Sequence, residues 1–337
     1  MNKVLVVNVN WIGDVIFSAP VFTALKGAYP RARISCLAVP RVAEVLAGIS
    51  AIDDIIVYDE QGRHRNPFAK LRLIHQLRVQ RFDAAFLLHR SLTRALLVYL
   101  AGIPRRIGYD AKGRRIFLTH IVRPSPVTEH RSDHYLRVVE DYGVAVRDRH
   151  YQLTVSQEAE QAVEKILRGH DIQEEDFLVI IHPGGNWPLK RWSSKNFELL
   201  AGRLMEQGNI KVVFTGAEGD RPFINAILSR LADKPLVLAG KINLKQLAAL
   251  MKRADAVVSA DSGPLHIASA AGTMVIGLFG PTRPEITGPR GPGQSFVLQK
   301  DVGCNRQACY HLKCPDNICM QAVTVEDVLE IIRQIRH

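Results

Sequence analysis

Four stretches of this 337-residue chain set reactive side chains beside glycines at the ends of apolar runs. The first is NWIGDV, where Asp14 follows Gly13 just after a Val/Leu-rich segment. A carboxylate there can accept a proton from a hydroxyl; the same residue, just ahead of an apolar helix, is equally suited to cap it. The second is HPGGNWPLKRW, 182–192. Gly184 and Gly185 leave backbone N–H groups open to an anion, Asn186 adds an amide, and Lys190 and Arg191 add positive charge for a phosphate leaving group. A plain surface loop would instead point both cations at water. The third is SADSGPLH, 259–266. Asp261 ends an apolar run, Ser262 is a plausible N-cap, Gly263 removes bulk and Pro264 suits a first helical turn. A helix start of this kind binds anions through its free amides and macrodipole. His266 falls on the same first turn, where it either faces the anion or serves as a core or capping group. In the fourth, GAEGD, Glu218 can accept hydrogen bonds from a ribose diol or act as an ordinary loop residue. Thr282 and Arg283 in FGPTRPE are weaker candidates of the same kind.

The elements around these stretches explain their positions. Residues 3–9, 32–40, 53–59, 82–89 and 105–110 read as strands, separated by helical periodicity at 15–29, 42–49, 67–81 and 91–102. Their continuous Val/Ile/Leu character suits strands covered on both faces of a parallel sheet. Residues 111–134 read as irregular, followed by a helix at 133–142 and another ending at Arg168. Alternation then restarts, with strands at 177–185, 211–216, 235–240, 255–261 and 273–280 and a last helix from Val325. The expectation is an α/β protein of two Rossmann-like, doubly wound parallel-sheet domains facing a cleft, 1–160 and 161–337, with the boundary inside 145–175. The last helix is expected on the second domain or folded back on the first. Ligand loops in such sheets gather at the strand C-termini, where all four stretches fall.

Composition narrows the partners. Residues 1–150 carry 23 Lys+Arg against 13 Asp+Glu, whereas 151–337 carry 21 against 20. Segment 61–115 alone holds 13 basic and 2 acidic residues, enough to account for the whole excess. Such a face suits a phospholipid surface or a phosphorylated glycolipid. Nucleic acid is not expected, because the segment has few aromatics and no recognition motif. The apolar start of the chain reads as a buried strand rather than a secretory signal, and no apolar run is long enough to span a bilayer. Cys36 reads as a core residue, and Cys304, Cys309, Cys314 and Cys319 recur every five residues. That spacing is not a zinc-ribbon pattern, so a structural cluster is expected rather than a metal site. Neither G-x-G-x-x-G nor a Walker loop occurs, which argues against dinucleotide dehydrogenases and P-loop NTPases. No two aspartates stand in D-x-D spacing, so metal-free chemistry is expected.

The stretches 8–26, 181–192, 214–220 and 257–285 resemble glycosyltransferase family 9, the bacterial ADP-heptose:lipopolysaccharide heptosyltransferases. The cysteine segment with Cys314-Pro315 and Cys319-Met320 is similar to the heptosyltransferase II branch. The resemblance implies a GT-B fold, with an acceptor domain first and a nucleotide-sugar domain second. It implies inverting transfer from ADP-heptose to a phosphorylated Kdo-lipid A (lipopolysaccharide core) acceptor, with Asp14 as general base and Lys190 neutralising the departing phosphates. Glu218 would take the ribose and Asp261 the heptose hydroxyls, with Ser262, Gly263 and His266 near the diphosphate. Asn10 and Trp11 stand where some members carry small hydroxyl residues, and Asn186-Trp187 replaces a Thr-rich phosphate loop. Asn10, Trp11, Arg63, Arg65, Lys70 and Arg114 are the candidate acceptor contacts. No cofactor is expected, with Mg2+ at most stimulatory, and the expected protein is a cytoplasmic monomer lying peripherally on the inner membrane.

Overall fold

The computed structural model describes residues 1–304, 309 and 314–336, which divide into two units, Met1–Thr154 and Val155–His337. The first unit runs β1 (Lys3–Val7), α1 (Ile12–Ala28), β2 (Arg33–Ala38), α2 (Ala43–Leu46), β3 (Asp54–Val57), α3 (Pro67–Gln80) and β4 (Ala84–Leu87). It continues with α4 (Leu92–Leu100), β5 (Arg105–Tyr109), β6 (His120–Val122) and α5 (Arg131–Glu140). Its six parallel strands lie in the order β3-β2-β1-β4-β5-β6. The central strands β1 and β4 are almost wholly buried because their Val, Leu, Ala and Phe side chains are covered from both sides. Each Val or Leu so buried contributes roughly 1.5–3 kcal/mol.

The second unit runs α6 (Gln157–Arg168), β7 (Phe177–His182), α7 (Ser194–Met205), β8 (Ile210–Phe214), α8 (Arg221–Leu228), β9 (Leu236–Val237) and α9 (Leu244–Arg253). After it come β10 (Ala256–Ala260), α10 (Gly263–Ala270), β11 (Val275–Leu278), α11 (Pro284–Thr287), β12 (Ser295–Leu298), α12 (Ile318–Gln321) and α13 (Val325–Arg336). Its sheet order, β12-β11-β10-β7-β8-β9, is the same 3-2-1-4-5-6 arrangement in kind, with one reversal of strand order at its centre. The reversal falls between β1 and β4 in the first unit and between β7 and β10 in the second.

One feature differs from the sequence expectation. Each sheet has a sixth strand, β6 and β12, at an edge; residues 120–122 lie in a stretch read as irregular. The division falls after Thr154, and α6, which it leaves in the second unit, packs on α9, with Lys252 and Arg253 paired to Glu160 and Glu164. The last helix stays with its own unit: Val328, Leu329 and Ile332 of α13 join the core of Val179, Phe197 and Phe214. No helix among the described residues is long and apolar enough to cross a membrane.

Candidate active site

The reversal point of the second sheet collects the strongest chemistry. The loop after β7 and the loop after β10 flank it, the position where open α/β sheets bind ligands. From the first loop, the Lys190 ammonium donates to Asp261 Oδ2 at 2.7 Å and to the Asp261 carbonyl at 3.3 Å. An ammonium has three donors, so a third remains for an anion. The Asp261 carboxylate is 5% exposed and also takes Thr287 Oγ1 at 3.1 Å on Oδ2, with His266 Nε2 at 3.4 Å from Oδ1. Burial on its own would raise this carboxyl; the His266 hydrogen bond and the Lys190 charge outweigh it and hold Asp261 far below the ordinary carboxylate range. Asp261 is thus a buried, fixed negative charge. His266, 2% exposed, belongs to this cluster rather than to a helix cap.

Ser262 occupies the N-cap of α10, as its position in the sequence suggests, but its hydroxyl does not cap the helix. It pairs with Ser259 Oγ at 2.9 Å, so the first-turn amides, including that of Gly263, are not taken up by it. The loop after β7 is held from several sides. A Cβ at Gly184 would come within 2.5 Å of the Asp220 carboxylate, so a larger residue there would push that side chain aside. Arg191 donates to the Gly185 carbonyl from Nε at 2.9 Å and from Nη2 at 2.6 Å, and lies 3.5 Å from Asp220. Its guanidinium therefore braces the loop. Asn186 is exposed, and Lys190 lies 5.6 Å from the centre of the Trp187 ring. Trp192 is a core anchor: its indole N–H donates to the Val323 carbonyl at 2.8 Å, and its ring meets Phe197 edge-on. At the base of the loop, His182 is wholly enclosed; burial pushes it down to about 4, so it is neutral and paired with Thr215 Oγ1 at 3.0 Å.

Glu218 sits in the turn 218–220 with its carboxylate largely in solvent, paired with Arg221 at 3.0 Å. It lies against Gly240, whose lack of a side chain makes room for it. Thr282 is buried and its hydroxyl finds no partner among the described residues, while Arg283 is exposed.

In the first unit, Asp14 is not the cap of α1. Trp11 occupies that position, and Asp14 lies in the first helical turn, where the macrodipole favours a carboxylate. Its partners come from α5: Tyr135 Oη donates to Oδ1 at 2.7 Å, and Arg131 Nε is 3.7 Å from the same oxygen. Burial, then the Asp14 charge, push the Tyr135 phenol well above its ordinary range, so it stays protonated and a donor. The preceding loop is pinned by two arginines, Arg94 to the Asn8 carbonyl and Arg41 to the Asn10 carbonyl, each at 2.8 Å. Arg41 also lies 4.2 Å over the ring of Trp11, which is 56% exposed.

The acceptor candidates separate. Arg63, Arg65 and Lys70 lie at the surface or half-buried around the start of α3. Arg114 does not: the turn 114–117 folds it inward, where it is fully buried and donates to the carbonyls of Tyr109, at 2.8 Å, and His89. Gly108 leaves the space it fills, and burial lowers its guanidinium to about 10. A surface contact to the acceptor is therefore corrected to an internal brace.

Sequence reasoning missed Tyr135, Arg131 and Thr287. No local pattern marks them, since Tyr135 reaches its partner across 121 residues. The cysteines are unpaired, and burial raises the Cys319 thiol, with Cys309 and Cys314 near enough to add to the rise. Among the described residues no three His, Cys, Asp or Glu side chains converge to hold a metal.

The doubly wound fold thus sets an ammonium and a buried carboxylate at its switch point, and comparison with known proteins makes the class definite. Residues 70–316 match the model of glycosyltransferase family 9 (heptosyltransferase), and the chain belongs to that family. The lipopolysaccharide heptosyltransferase 2 of Salmonella typhimurium is 30% identical over 297 residues, 85% of each chain. The solved Escherichia coli ADP-heptose lipopolysaccharide heptosyltransferase II superposes with a TM-score of 0.84 at 25% identity, over 99% of this chain and 98% of that one. A family 9 glycosyltransferase from Veillonella parvula gives a TM-score of 0.88 at 24% identity, over 99% and 97%, a likeness of fold. The protein is a glycosyltransferase of the GT-B class.

Proposed function

We propose that the protein transfers heptose from ADP-L-glycero-D-manno-heptose to the lipopolysaccharide inner core, with inversion at the anomeric carbon. The observation that carries this reading is the Lys190–Asp261–His266 cluster at the strand reversal of the second unit, in a chain belonging to family 9. As the sugar–phosphate bond breaks, negative charge grows on the departing ADP. The third N–H of Lys190 and the first-turn amides around Ser262 and Gly263 meet that charge, which strengthens them in the transition state over the ground state. The fixed Asp261 charge orients heptose hydroxyls and steadies positive charge at the anomeric carbon. Glu218 takes the ribose diol, and Gly184, Gly185 and Asn186 line the phosphate path, with Arg191 holding that loop in shape. Asp14 accepts the proton of the attacking hydroxyl on Oδ2, while Tyr135 fixes its orientation through Oδ1.

Asn10, Trp11, Arg63, Arg65 and Lys70 are proposed to contact the phosphorylated Kdo-lipid A acceptor. The reaction in this reading needs no cofactor, with Mg2+ at most stimulatory. The enzyme works as a cytoplasmic monomer held peripherally at the inner membrane, without a nucleic-acid partner. The deciding test offers a panel of nucleotide sugars with a Kdo-lipid A acceptor and follows product by mass spectrometry. Heptosylated product from ADP-heptose is expected; transfer from another nucleotide sugar alone would overturn the donor assignment.

Tyr135 is a positioning residue in this scheme. Tyr135→Phe removes one hydrogen bond to Asp14 and is expected to lower kcat about tenfold, as the loss of roughly 1–2 kcal/mol implies. The donor KM should stay unchanged. A rise in donor KM with kcat intact would refute the positioning role.

A further inference from the structure

Helix α3 has two faces of unusual character for a helix on the outside of a globular unit. Leu73, Ile74 and Leu77 are buried against the sheet. On the opposite side, spacings of three, four, seven and eleven residues from Phe68 align Leu71, Arg72, His75 and Val79 in one outward stripe. Phe68 is 80% exposed, Leu71 59% and Val79 63%. Single exposed apolar residues are ordinary, but three on one stripe among cations are not. From residue 61 to 81 the chain has six Lys or Arg and no Asp or Glu. The stripe is anchored firmly: Asn66 caps the helix through Phe68 N at 2.8 Å, and Arg78 donates to the Leu100 carbonyl at 2.6 Å, tying α3 to the end of α4. Tyr99 and Leu100 are themselves exposed there. At the inner flank of α3 a depression of about 180 Å³, lined by Arg63, His64, Arg72 and Gln76 among others, opens beside the stripe. Arg63 and Arg72 are its charged lining groups, set beside the apolar Ile55, Val57, Ala69 and Leu73.

We propose that the outward face of α3 seats the first unit on an anionic lipid bilayer, with Phe68, Leu71 and Val79 entering the acyl boundary and the surrounding cations meeting lipid phosphates. Apolar residues interleaved with Lys and Arg on one exposed helix stripe are what an interfacial helix requires. The cations attract an anionic surface and the apolar side chains then hold the helix there. The proposal deepens the peripheral-membrane part of the reading above; it does not depend on which sugar is transferred.

The test measures co-sedimentation of the full-length protein with vesicles of phosphatidylcholine alone or mixed with phosphatidylglycerol, without donor or acceptor. Binding is expected to be at least about tenfold stronger to the mixed vesicles and to weaken as salt rises. The triple variant Phe68→Ser, Leu71→Ser, Val79→Ser should lose about tenfold or more of that binding while keeping its melting temperature and its turnover on a water-soluble, deacylated acceptor. In a second measurement, Phe68→Trp should give a blue shift of the emission it adds on mixed vesicles. Undiminished binding of a folded triple variant would overturn the proposal, as would an introduced indole whose emission stays put while the protein sediments. So would binding to nucleic acid with none to vesicles. Failure of heptose transfer with vesicle binding intact would count against the donor assignment alone.

Discussion

Asp14→Asn is expected to reduce kcat by about a thousandfold, within the range of roughly 10²–10⁴ that a positioned general base contributes. Asparagine is nearly isosteric and still offers an oxygen to the Tyr135 hydroxyl, so the first turn of α1 and its contact with α5 should persist. What vanishes is the capacity to take the proton of the attacking hydroxyl. Donor affinity, measured by calorimetry with ADP-heptose, should therefore match wild type while product formation collapses. Turnover within a few-fold of wild type would remove Asp14 from the chemistry and return it to the role of a first-turn carboxylate. Retained donor binding separates this result from a folding defect.

Lys190→Ala should be nearly as damaging, for two reasons that can be separated. It removes the cation that meets the departing diphosphate, a loss of the kind that costs about 10²–10³ in kcat. It also strips the ammonium from Asp261, a carboxylate only 5% exposed, leaving it with His266 and Thr287. Breaking a buried ion pair from one side typically costs about 3–5 kcal/mol of stability, an upper range here because Lys190 itself is partly exposed. Adding Asp261→Asn to Lys190→Ala discharges the stranded group. The double variant should regain most of the melting temperature but none of the turnover. A double variant that regained turnover as well would remove both the Lys190 ammonium and the Asp261 charge from the chemistry.

The loops after β7, β8 and β10, which the proposed chemistry uses, were legible in the sequence because each follows an apolar run and carries glycine, serine or proline punctuation. Asp261-Ser262-Gly263-Pro264 is the clearest instance, and the helix start it announces is where α10 begins. The edge strands were not legible, for a physical reason. β6 is three residues of His120, Ile121 and Val122, and β12 alternates between exposed and half-buried positions, so neither has the continuous apolar character of a central strand. Side-chain partnerships were harder still. That Arg191 turns back onto Gly185, or that Arg114 turns inward under Gly108, depends on which way a long flexible side chain finds acceptors, and spacing along the chain carries no record of that. Arg114 had looked like a surface contact to the acceptor. Thr287 joins Asp261 from a four-residue helix, α11, with no periodicity to betray it.

Trp192 hangs by its indole from the carbonyl of Val323, just ahead of the closing helix α13. Lys190, the lysine proposed to meet the phosphates, sits two positions before that tryptophan, so the segment ahead of α13 acts as a guy-rope for the loop that carries it. Trimming or fraying the tail would slacken the loop from behind, and catalysis would weaken without any residue near the sugar having changed.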